Sequence, residues 1–404
     1  MTPTAEKNNK STICLVTPWP PQYSGIADYA YSLTAALIKH GLEVTIVTNC
    51  QNPTALAGCN ILSINSDSEL KNALDGHVMP IFQLGNHPDF HGFMLDAINW
   101  LGDNCLIELH DVVLHHLIIG ATGNRNKDSF YLNWLERNYG SVISNQFESD
   151  KSFSLDETTS LDFLTYPCSD HIVDDCAGVI VHSHFAKSVL KNAGVTAPIW
   201  NINLYENNSA QFLNRIINDE EILKIGIFGG VQKNRKIESV IEALSSLSQK
   251  AIDRISLDIY GSIDSDCQYL IEKSNNNFGE KIKFHGRIEE TEFHKAFLNT
   301  DLCISLRSPS MGETSAIVSR ALSIGLPTIV SNTGWYAELP EFIPKVNNGK
   351  IESDLASLIE IISTNRALYA KFRNQFIDYA RSLDGMDSLV DDLVSIRSGI
   401  LERI

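Results

Sequence analysis

The amino-acid sequence predicts an α/β protein with two doubly wound, Rossmann-like domains and a cleft between them. Short apolar runs alternate with segments of helical periodicity, and this alternation starts twice, near residues 12 and 224. A polar stretch, residues 201–221, separates the two series. Because helical crossovers make consecutive strands parallel, each series indicates one parallel sheet covered by helices.

In the first half, five apolar runs are predicted to be strands: residues 12–17, 43–47, 80–84, 105–109 and 178–181. A helix is predicted over residues 26–40, because apolar side chains recur on one face before Gly41. A second helix, over residues 128–139, carries several aromatic side chains. Such a stripe indicates either packing in the core or a wall that faces a substrate.

In the second half, the predicted strands are residues 224–228, 256–260, 281–284, 301–306 and 328–330. Helices are predicted over residues 237–247 and 292–298, and the tail from residue 353 has the pattern of three helices. We place a disordered lead-in at residues 1–10, the first domain at 11–205 and the second at 206–380. Residues 381–404 are expected to form a helix that crosses back to the first domain.

Polar residues follow the predicted strands of the first half. They are Ser24 with Gly25, Gly85 with Asn86, His110 with Asp111, and His182 with Ser183. Ligands of open α/β sheets bind outside the carboxyl ends of the strands, so these residues are expected to gather at one edge. A single histidine in such a place is more often structural than catalytic, but four polar strand ends together indicate a binding site.

Residues 311–315 lie between a predicted strand and a predicted helix in the second half. The first N–H groups of a helix lack partners within it, so they suit the oxygens of an anionic or hydroxyl-rich ligand. An ordinary connecting loop is the alternative interpretation.

Composition limits the class of function. The hydrophobic content of 43% and the charged content of 20% are those of a globular protein. A net charge of −17 argues against a nucleic-acid partner. The sequence has neither a run long enough to span a membrane nor a signal-peptide core. Its cysteines form no C-x-x-C pair, which favours reduced thiols and a cytoplasmic protein.

Several short motifs lie in the predicted loops of both halves, in a defined order. The first half contains Ser24-Gly25-Ile26, Gln83-Leu84-Gly85-Asn86, Leu109-His110-Asp111 and Val181-His182-Ser183. The second half contains Asn234-Arg235-Lys236, Arg307-Ser308-Pro309, Gly312-Glu313-Thr314-Ser315, Arg320-Ala321-Leu322 and Gly334-Trp335. Along most of the chain, this series resembles the GT-B fold of retaining family 4 glycosyltransferases, and the first-half motifs resemble a bacterial, polysaccharide-type branch.

The resemblance implies a retaining transfer of a sugar from a nucleotide-activated donor, a UDP- or GDP-sugar, bound by the second domain. The acceptor would be a glycan or a lipid-linked acceptor on the first domain, as in cell-surface polysaccharide synthesis. No metal or other cofactor is implied, because basic side chains and helix N-termini neutralise the phosphates.

The resemblance also implies roles for particular residues. Arg235 and Lys236 would neutralise the diphosphate, and His110 would contact the sugar near its hydroxymethyl group. Glu313, with the N–H groups that follow it, would bind sugar hydroxyls. The candidate catalytic residues are therefore His110, Glu313 and Arg235. The candidate donor-binding residues are Gly25, Gly229, Arg235, Lys236, Gly312, Glu313, Thr314, Ser315 and Arg320.

The sequence departs from the family pattern at the ribose contact. The family has two glutamates in this motif, but Gly312 and Arg320 occupy the corresponding positions, and Glu313 lies one place later. A guanidinium group is donor-only, so Arg320 would contact the diphosphate or a carboxylate instead of accepting hydrogen bonds from a ribose. Two alternatives therefore remain: a sugar-nucleotide epimerase of the same fold, and a non-catalytic GT-B subunit.

Overall fold

The structure, a computed structural model, describes residues 12–121, 127–149, 163–204 and 221–403. Two parallel sheets form its two halves, and helices cover the faces of both. The predicted fold class, two doubly wound domains with a helical C-terminal tail, is confirmed. The expected lead-in and the expected boundary between residues 205 and 206 lie outside the described residues.

The first sheet has seven strands in the order β3-β2-β1-β4-β5-β6-β7, with every neighbouring pair parallel. Its strands are β1 Thr12–Val16, β2 Glu43–Thr48, β3 Cys59–Ser63, β4 Ile81–Leu84, β5 Leu106–Leu109, β6 Gly178–Val181 and β7 Ile199–Asn201. The central strands are buried on both faces, as the continuous apolar runs require.

Nine helices are assigned in the described part of the first half. They are α1 Gly25–Lys39, α2 Asp67–Leu74, α3 Pro88–His91, α4 Leu95–Leu101, α5 His115–Gly120, α6 Lys127–Tyr139, α7 Ser141–Ser149, α8 Asp170–Val173 and α9 His184–Asn192. The side chain of Ser24 caps α1 by accepting from the N–H of Ile26. The aromatic helix α6 packs in the core through Tyr131, whose hydroxyl lies 2.6 Å from Nδ1 of the buried His115.

The second sheet has six parallel strands in the order β10-β9-β8-β11-β12-β13. These are β8 Leu223–Phe228, β9 Ile255–Tyr260, β10 Ile282–Gly286, β11 Leu302–Ser305, β12 Thr328–Ser331 and β13 Lys345–Val346. The helices of this half are α10 Ile237–Ser245, α11 Gln249–Ile252, α12 Tyr269–Phe278, α13 Glu290–Leu298, α14 Ala316–Ser323, α15 Gly334–Glu338, α16 Ile351–Thr364 and α17 Arg366–Ser382.

The last helix, α18 Met386–Leu401, packs against the first half of the molecule. Leu389 and Leu393 share a buried cluster with Leu33 and Leu37 of α1. The buried guanidinium of Arg397 donates 2.6 Å to the backbone oxygen of Val78. This helix therefore ties the C-terminal part of the described chain to the first half through both apolar packing and a charged hydrogen bond.

Three short strands were missed by the sequence analysis. β3 is only partly buried, β7 has three residues and β13 has two, and each lies at a sheet edge or beside one. Such strands lack the continuous apolar run that reveals a central strand. In the part of the chain that is described, no helix is long and apolar enough to cross a bilayer.

Candidate active site

A cavity of about 920 Å³ lies where the carboxyl ends of the two sheets face each other. The first half contributes Asn86, Asp111 and His116. The second half contributes Gln232, Lys233, Asn234, Lys236, Asp264, Ser265, Asp266, Cys267, Arg307, Ser308, Pro309, Met311 and Glu313. Among the predicted site residues, Lys236 and Glu313 line this cavity.

Direct contacts hold the two halves together beside the cavity. The N–H of Val113 donates 3.1 Å to the backbone oxygen of Met311, and the hydroxyl of Thr314 lies 3.5 Å from the backbone oxygen of His182. The carboxylate of Glu338 accepts from the N–H of His184, 3.0 Å away, at the start of α9. The cleft is therefore closed at this edge.

Gly312 makes a particularly close approach across the cleft. Its φ is +78°, in the left-handed region that favours glycine. A Cβ atom at this position would lie only 2.1 Å from Cγ1 of Val112 in the first half. Glycine is thus required here both by backbone conformation and by space.

Arg307 and Glu313 form an ion pair on the second-half wall. Nε of Arg307 lies 2.6 Å from Oε1 of Glu313, and both side chains are largely buried. The other carboxylate oxygen accepts from the N–H of Met311 at 2.7 Å and from the hydroxyl of Ser310 at 3.2 Å. Burial disfavours the charge on Arg307, but the Glu313 carboxylate raises the pKa of Arg307. Both side chains are therefore held in fixed positions at the cavity.

Arg235 lies behind this wall and does not line the cavity. Its Nη2 lies 3.0 Å from where a Cβ of Gly229 would be, and the φ of Gly229 is +102°. Burial and the neighbouring charge of Arg307 lower the pKa of Arg235 to about 10, so it remains a cation at neutral pH. Lys236 follows in a left-handed conformation, with φ 53°, and is the N-cap residue that precedes α10.

Asp111 is the acidic group on the first-half wall. Its Oδ2 accepts from the N–H of Asn86 at 2.8 Å. Burial, reinforced by the negative charge of Glu313, raises the pKa of Asp111 to about 6. A carboxyl group with this pKa is partly protonated near neutral pH, which is a property common among catalytic and binding sites.

His110 lies next to Asp111 but faces inward rather than lining the cavity. Its ring packs against the rings of Tyr29 and His182, with centroids 5.1 and 4.8 Å away. Burial, followed by the effect of His182, lowers the pKa of His110 to about 3, so the ring is neutral. Its Nε2 is buried and has no hydrogen-bond partner among the described residues.

The remaining predicted residues fall at two places. Gly25 begins α1, and a Cβ there would lie 3.8 Å from Cβ of Ala316, beside Ser315, which caps α14. The N-termini of these two helices therefore converge. Arg320 instead lies over the ring of Phe293, 5.7 Å from its centroid, and does not line the cavity.

One cluster in the described chain has the composition of a metal site. Glu108, His110 and His182 offer atoms that lie within 4.8 Å of one another. However, both oxygens of Glu108 already accept hydrogen bonds, from Tyr29 at 2.5 Å and from Gln83 at 2.8 Å. The carboxylate is thus occupied by protein groups, whereas Nε2 of His110 and Nε2 of His182 are buried and have no hydrogen-bond partner among the described residues.

Two site residues were quoted in the sequence motifs without a role. Each lies two residues beyond the end of a strand: Arg307 follows β11, and Asp111 follows β5. Their positions at the carboxyl ends of strands were the available signal. The structure adds that both line one cavity from opposite sides.

The architecture of two parallel sheets across a closed cleft is the GT-B fold. Residues 212–382 match the family model for glycosyl transferases group 1, a stretch that covers less than half of the chain. No curated protein sequence matches the chain.

Solved structures resemble the whole chain at low sequence identity. A sucrose-phosphate synthase from Thermosynechococcus elongatus has a TM-score of 0.71 at 14% identity, over 98% of this chain and 100% of that one. The Anabaena protein HepE in complex with UDP has a TM-score of 0.64 at 12% identity, over 96% and 100%. A glycosyltransferase from Rickettsia africae has a TM-score of 0.63 at 14% identity, over 98% and 100%. At these identities the similarity establishes the fold alone.

Proposed function

We propose that this protein is a retaining family 4 glycosyltransferase of bacterial polysaccharide type. It transfers a sugar from a UDP- or GDP-sugar to a glycan or lipid-linked acceptor in the cytoplasm, without a metal. In this proposal, residues 11–205 bind the acceptor, residues 206–380 bind the donor, and residues 381–404 join the two. The group 1 match in the second half and the UDP complex of HepE support a nucleotide-sugar donor.

The observation that carries the proposal is the placement of the basic side chains around the cavity, whose second-half lining also includes the acids Asp264, Asp266 and Glu313. Its cationic lining residues, Lys233, Lys236 and Arg307, all come from the second half. A nucleoside diphosphate carries its negative charge on the phosphates, and fixed cations in a partly enclosed site stabilise that charge as the sugar–phosphate bond breaks. The donor is therefore assigned to the second half.

The diphosphate is assigned to Arg307 and Lys236, with Arg235 adding positive charge from behind. The converging N-termini of α1 and α14, at Gly25 and Ser315, add backbone N–H groups. In a transfer without a metal, these groups together neutralise the departing phosphate.

The sugar is assigned to Glu313 and His110. The Arg307 ion pair and the N–H of Met311 hold the Glu313 carboxylate, and its remaining lone pairs can accept from sugar hydroxyls. His110 faces inward, so its neutral ring supplies a hydrogen-bonding nitrogen to the sugar only if the side chain turns toward the cavity. Gly312, Thr314 and Gly229 act through backbone geometry, and Arg320, held over Phe293, contacts the diphosphate only if its side chain turns.

A panel of UDP- and GDP-sugars tests the function directly. We expect slow hydrolysis of the donor, which releases nucleoside diphosphate, and faster release when an acceptor is added. An isomerised nucleotide sugar would instead identify an epimerase, and the absence of both binding and turnover would identify a non-catalytic subunit. NMR of the product then tests retention, because the anomeric configuration of the donor must persist in the new glycoside.

A further inference from the structure

Three side chains behind the first-half wall offer ligand atoms to one point. Glu108 lies within β5, and His110 and His182 directly follow β5 and β6. Because these two strands are parallel neighbours, their carboxyl ends bring the three side chains together. One carboxylate oxygen and one nitrogen from each ring lie within 4.8 Å of one another. The fold of the first half thus assembles a two-histidine, one-carboxylate cluster.

The contact between His182 and Glu108 lacks a positive charge between its two atoms. Nδ1 of His182 is 2.9 Å from the backbone oxygen of Ile202, which can only accept, so Nδ1 carries hydrogen. In the neutral ring, Nε2 then presents its lone pair to Oε1 of Glu108, 3.3 Å away. Nε2 has no hydrogen-bond partner among the described residues. A cation bound by both atoms would satisfy the two facing lone pairs.

The spacing of the ligand atoms suits coordination. Zinc binds imidazole nitrogen and carboxylate oxygen at about 2.0–2.2 Å, which places neighbouring ligands of a tetrahedron about 3.3–3.5 Å apart. The 3.3 Å between His182 and Glu108 already matches this separation. The nitrogen of His110 has to approach by at most about 1.5 Å to complete the set. Nε2 of His110 is also buried without a hydrogen-bond partner among the described residues.

The hydrogen bonds around the cluster are those of a coordinated site. A histidine ligand usually donates its other N–H to a carboxylate or a backbone carbonyl, as Nδ1 of His182 does to Ile202. A ligating carboxylate is usually hydrogen-bonded as well, and Glu108 accepts from Tyr29 at 2.5 Å and from Gln83 at 2.8 Å. These contacts orient both ligands within the folded chain.

We propose that Glu108, His110 and His182 hold one divalent transition-metal ion behind the first-half wall. Imidazole and carboxylate ligands suit zinc and several other first-row metals. The candidate for a fourth ligand is Oε1 of Gln83, which is buried and has no hydrogen-bond partner among the described residues.

The ion is structural and separate from the transfer site. None of its ligands lines the cavity, and it joins the ends of two neighbouring strands. While it is bound, His110 stays turned inward and cannot reach the sugar. The metal site itself does not depend on the proposed glycosyltransferase function.

Metal content tests the site without reference to activity. A buried site is filled as the chain folds, so the full chain is produced without a histidine tag in zinc-supplemented medium, and loose metal is removed with a weak chelator. We expect about one equivalent of zinc per chain by mass spectrometry. Glu108→Gln and His182→Gln should lose it. His285→Gln is the matched control and should keep it, because this part-exposed histidine pairs with Asp258 elsewhere.

Cobalt in place of zinc identifies the ligand atoms. Nitrogen and oxygen ligands give the d–d absorption of four-coordinate cobalt without a thiolate charge-transfer band. A competing site in the described chain is the buried pair Cys105 and Cys176, whose sulfur atoms are 3.7 Å apart. Cys176→Ser should leave the cobalt spectrum unchanged, whereas His110→Gln should abolish it.

Tyr29→Phe tests the hydrogen bond that supports the ligating carboxylate. Loss of such a bond should weaken zinc binding by about 10–100-fold and leave the stoichiometry unchanged. Competition with a chromophoric chelator measures the affinity.

Three results would overturn the proposal. The first is an unmodified protein that holds neither zinc nor cobalt in stoichiometric amount. The second is metal that persists in both Glu108→Gln and His182→Gln. The third is a thiolate band that disappears in Cys176→Ser. If the ligand variants do not fold, metal content and the cobalt spectrum of the unmodified protein remain decisive. Donor turnover enters none of these measurements, so a failure of the proposed function leaves the test intact.

Discussion

The two walls of the cavity present different kinds of charge. Among the described residues, all the lysine and arginine side chains that line the cavity lie on the second-half wall, where Arg307 pairs with Glu313 and Lys233 with Asp266. The first-half wall carries Asp111 and His116, and His110 lies behind it. Burial raises the pKa of Asp111 to about 6 and lowers the pKa of both histidines, so these groups change charge or stay neutral.

This difference corresponds to what each wall is proposed to bind. A diphosphate is anionic at any physiological pH, so permanent cations match it. The hydroxyl groups of the acceptor glycan are neutral, so neutral imidazole and carboxyl groups of the first half can exchange hydrogen bonds with them without leaving a buried charge unpaired. The five predictions that follow test this contrast between a wall with basic side chains and a titratable one, and the contact that joins the two walls.

The largest effect is expected from removing the cation that lines the cavity. Arg307→Ala should weaken binding of UDP or GDP by about 1.5–3 kcal/mol, or about 10–150-fold, because a charge-assisted contact to phosphate is lost. Binding of the nucleoside should change little. Isothermal titration of both ligands measures this, and Arg307→Lys, which keeps the charge, serves as the control.

Arg235→Ala distinguishes a direct phosphate contact from support behind the wall. A direct contact predicts a much greater loss for the diphosphate than for the nucleoside. Equal losses for the two ligands would remove Arg235 from the phosphate site and leave Arg307 as the assigned cation.

Asp111 tests the titratable wall through stability. Its folded pKa of about 6 exceeds its ordinary value of 3.8, so the folded state holds the proton more tightly. This stabilisation is complete below about pH 4 and is lost as pH rises through about 6. The advantage of Asp111→Asn over the unmodified protein should therefore grow by on the order of 2 kcal/mol between pH 4 and pH 7.

Urea unfolding of both proteins across this pH range measures the difference. The hydrogen bond from the N–H of Asn86 should persist in Asp111→Asn, because the side-chain oxygen of the new asparagine can still accept it. Parallel stability curves for the two proteins would show that Asp111 titrates normally.

Gly312→Ala tests the contact that holds the walls together. The new Cβ meets Val112 and a left-handed backbone, so destabilisation by about 1–3 kcal/mol is expected. Thermal unfolding of Gly312→Ala, Val112→Ala and the double variant separates the two causes. The double variant should recover the steric part and keep the backbone part, about 1 kcal/mol. Absence of any recovery would mean that the clash does not involve Val112.

The smallest effect is expected at Glu313. Glu313→Gln should lower turnover by about tenfold, or about 1.4 kcal/mol, because an amide accepts more weakly from sugar hydroxyls than a carboxylate does. Initial rates with a donor and an acceptor measure this, with exposed Glu341→Gln as the control. Unchanged turnover would place Glu313 outside the sugar site.

The order of the central strands and helices was predictable from the sequence. Continuous apolar runs such as β5 and β11 bury both faces, and the period of α1 matches its buried side. The edge strands β3 and β13 were missed, because half-exposed or two-residue strands leave no such pattern. Local periodicity thus reports burial, and it is weakest where burial is partial.

The candidate site was only partly predictable. The sequence by itself determined that Glu313, Lys236 and Asp111 follow strands, because residue order alone puts them at the carboxyl ends of parallel strands. Only the tertiary structure decided that Arg307 lines the cavity while Arg235 lies behind it. Side-chain direction and electrostatic environment depend on neighbours that are remote in sequence. A linear pattern therefore cannot specify which of two nearby arginines faces a ligand.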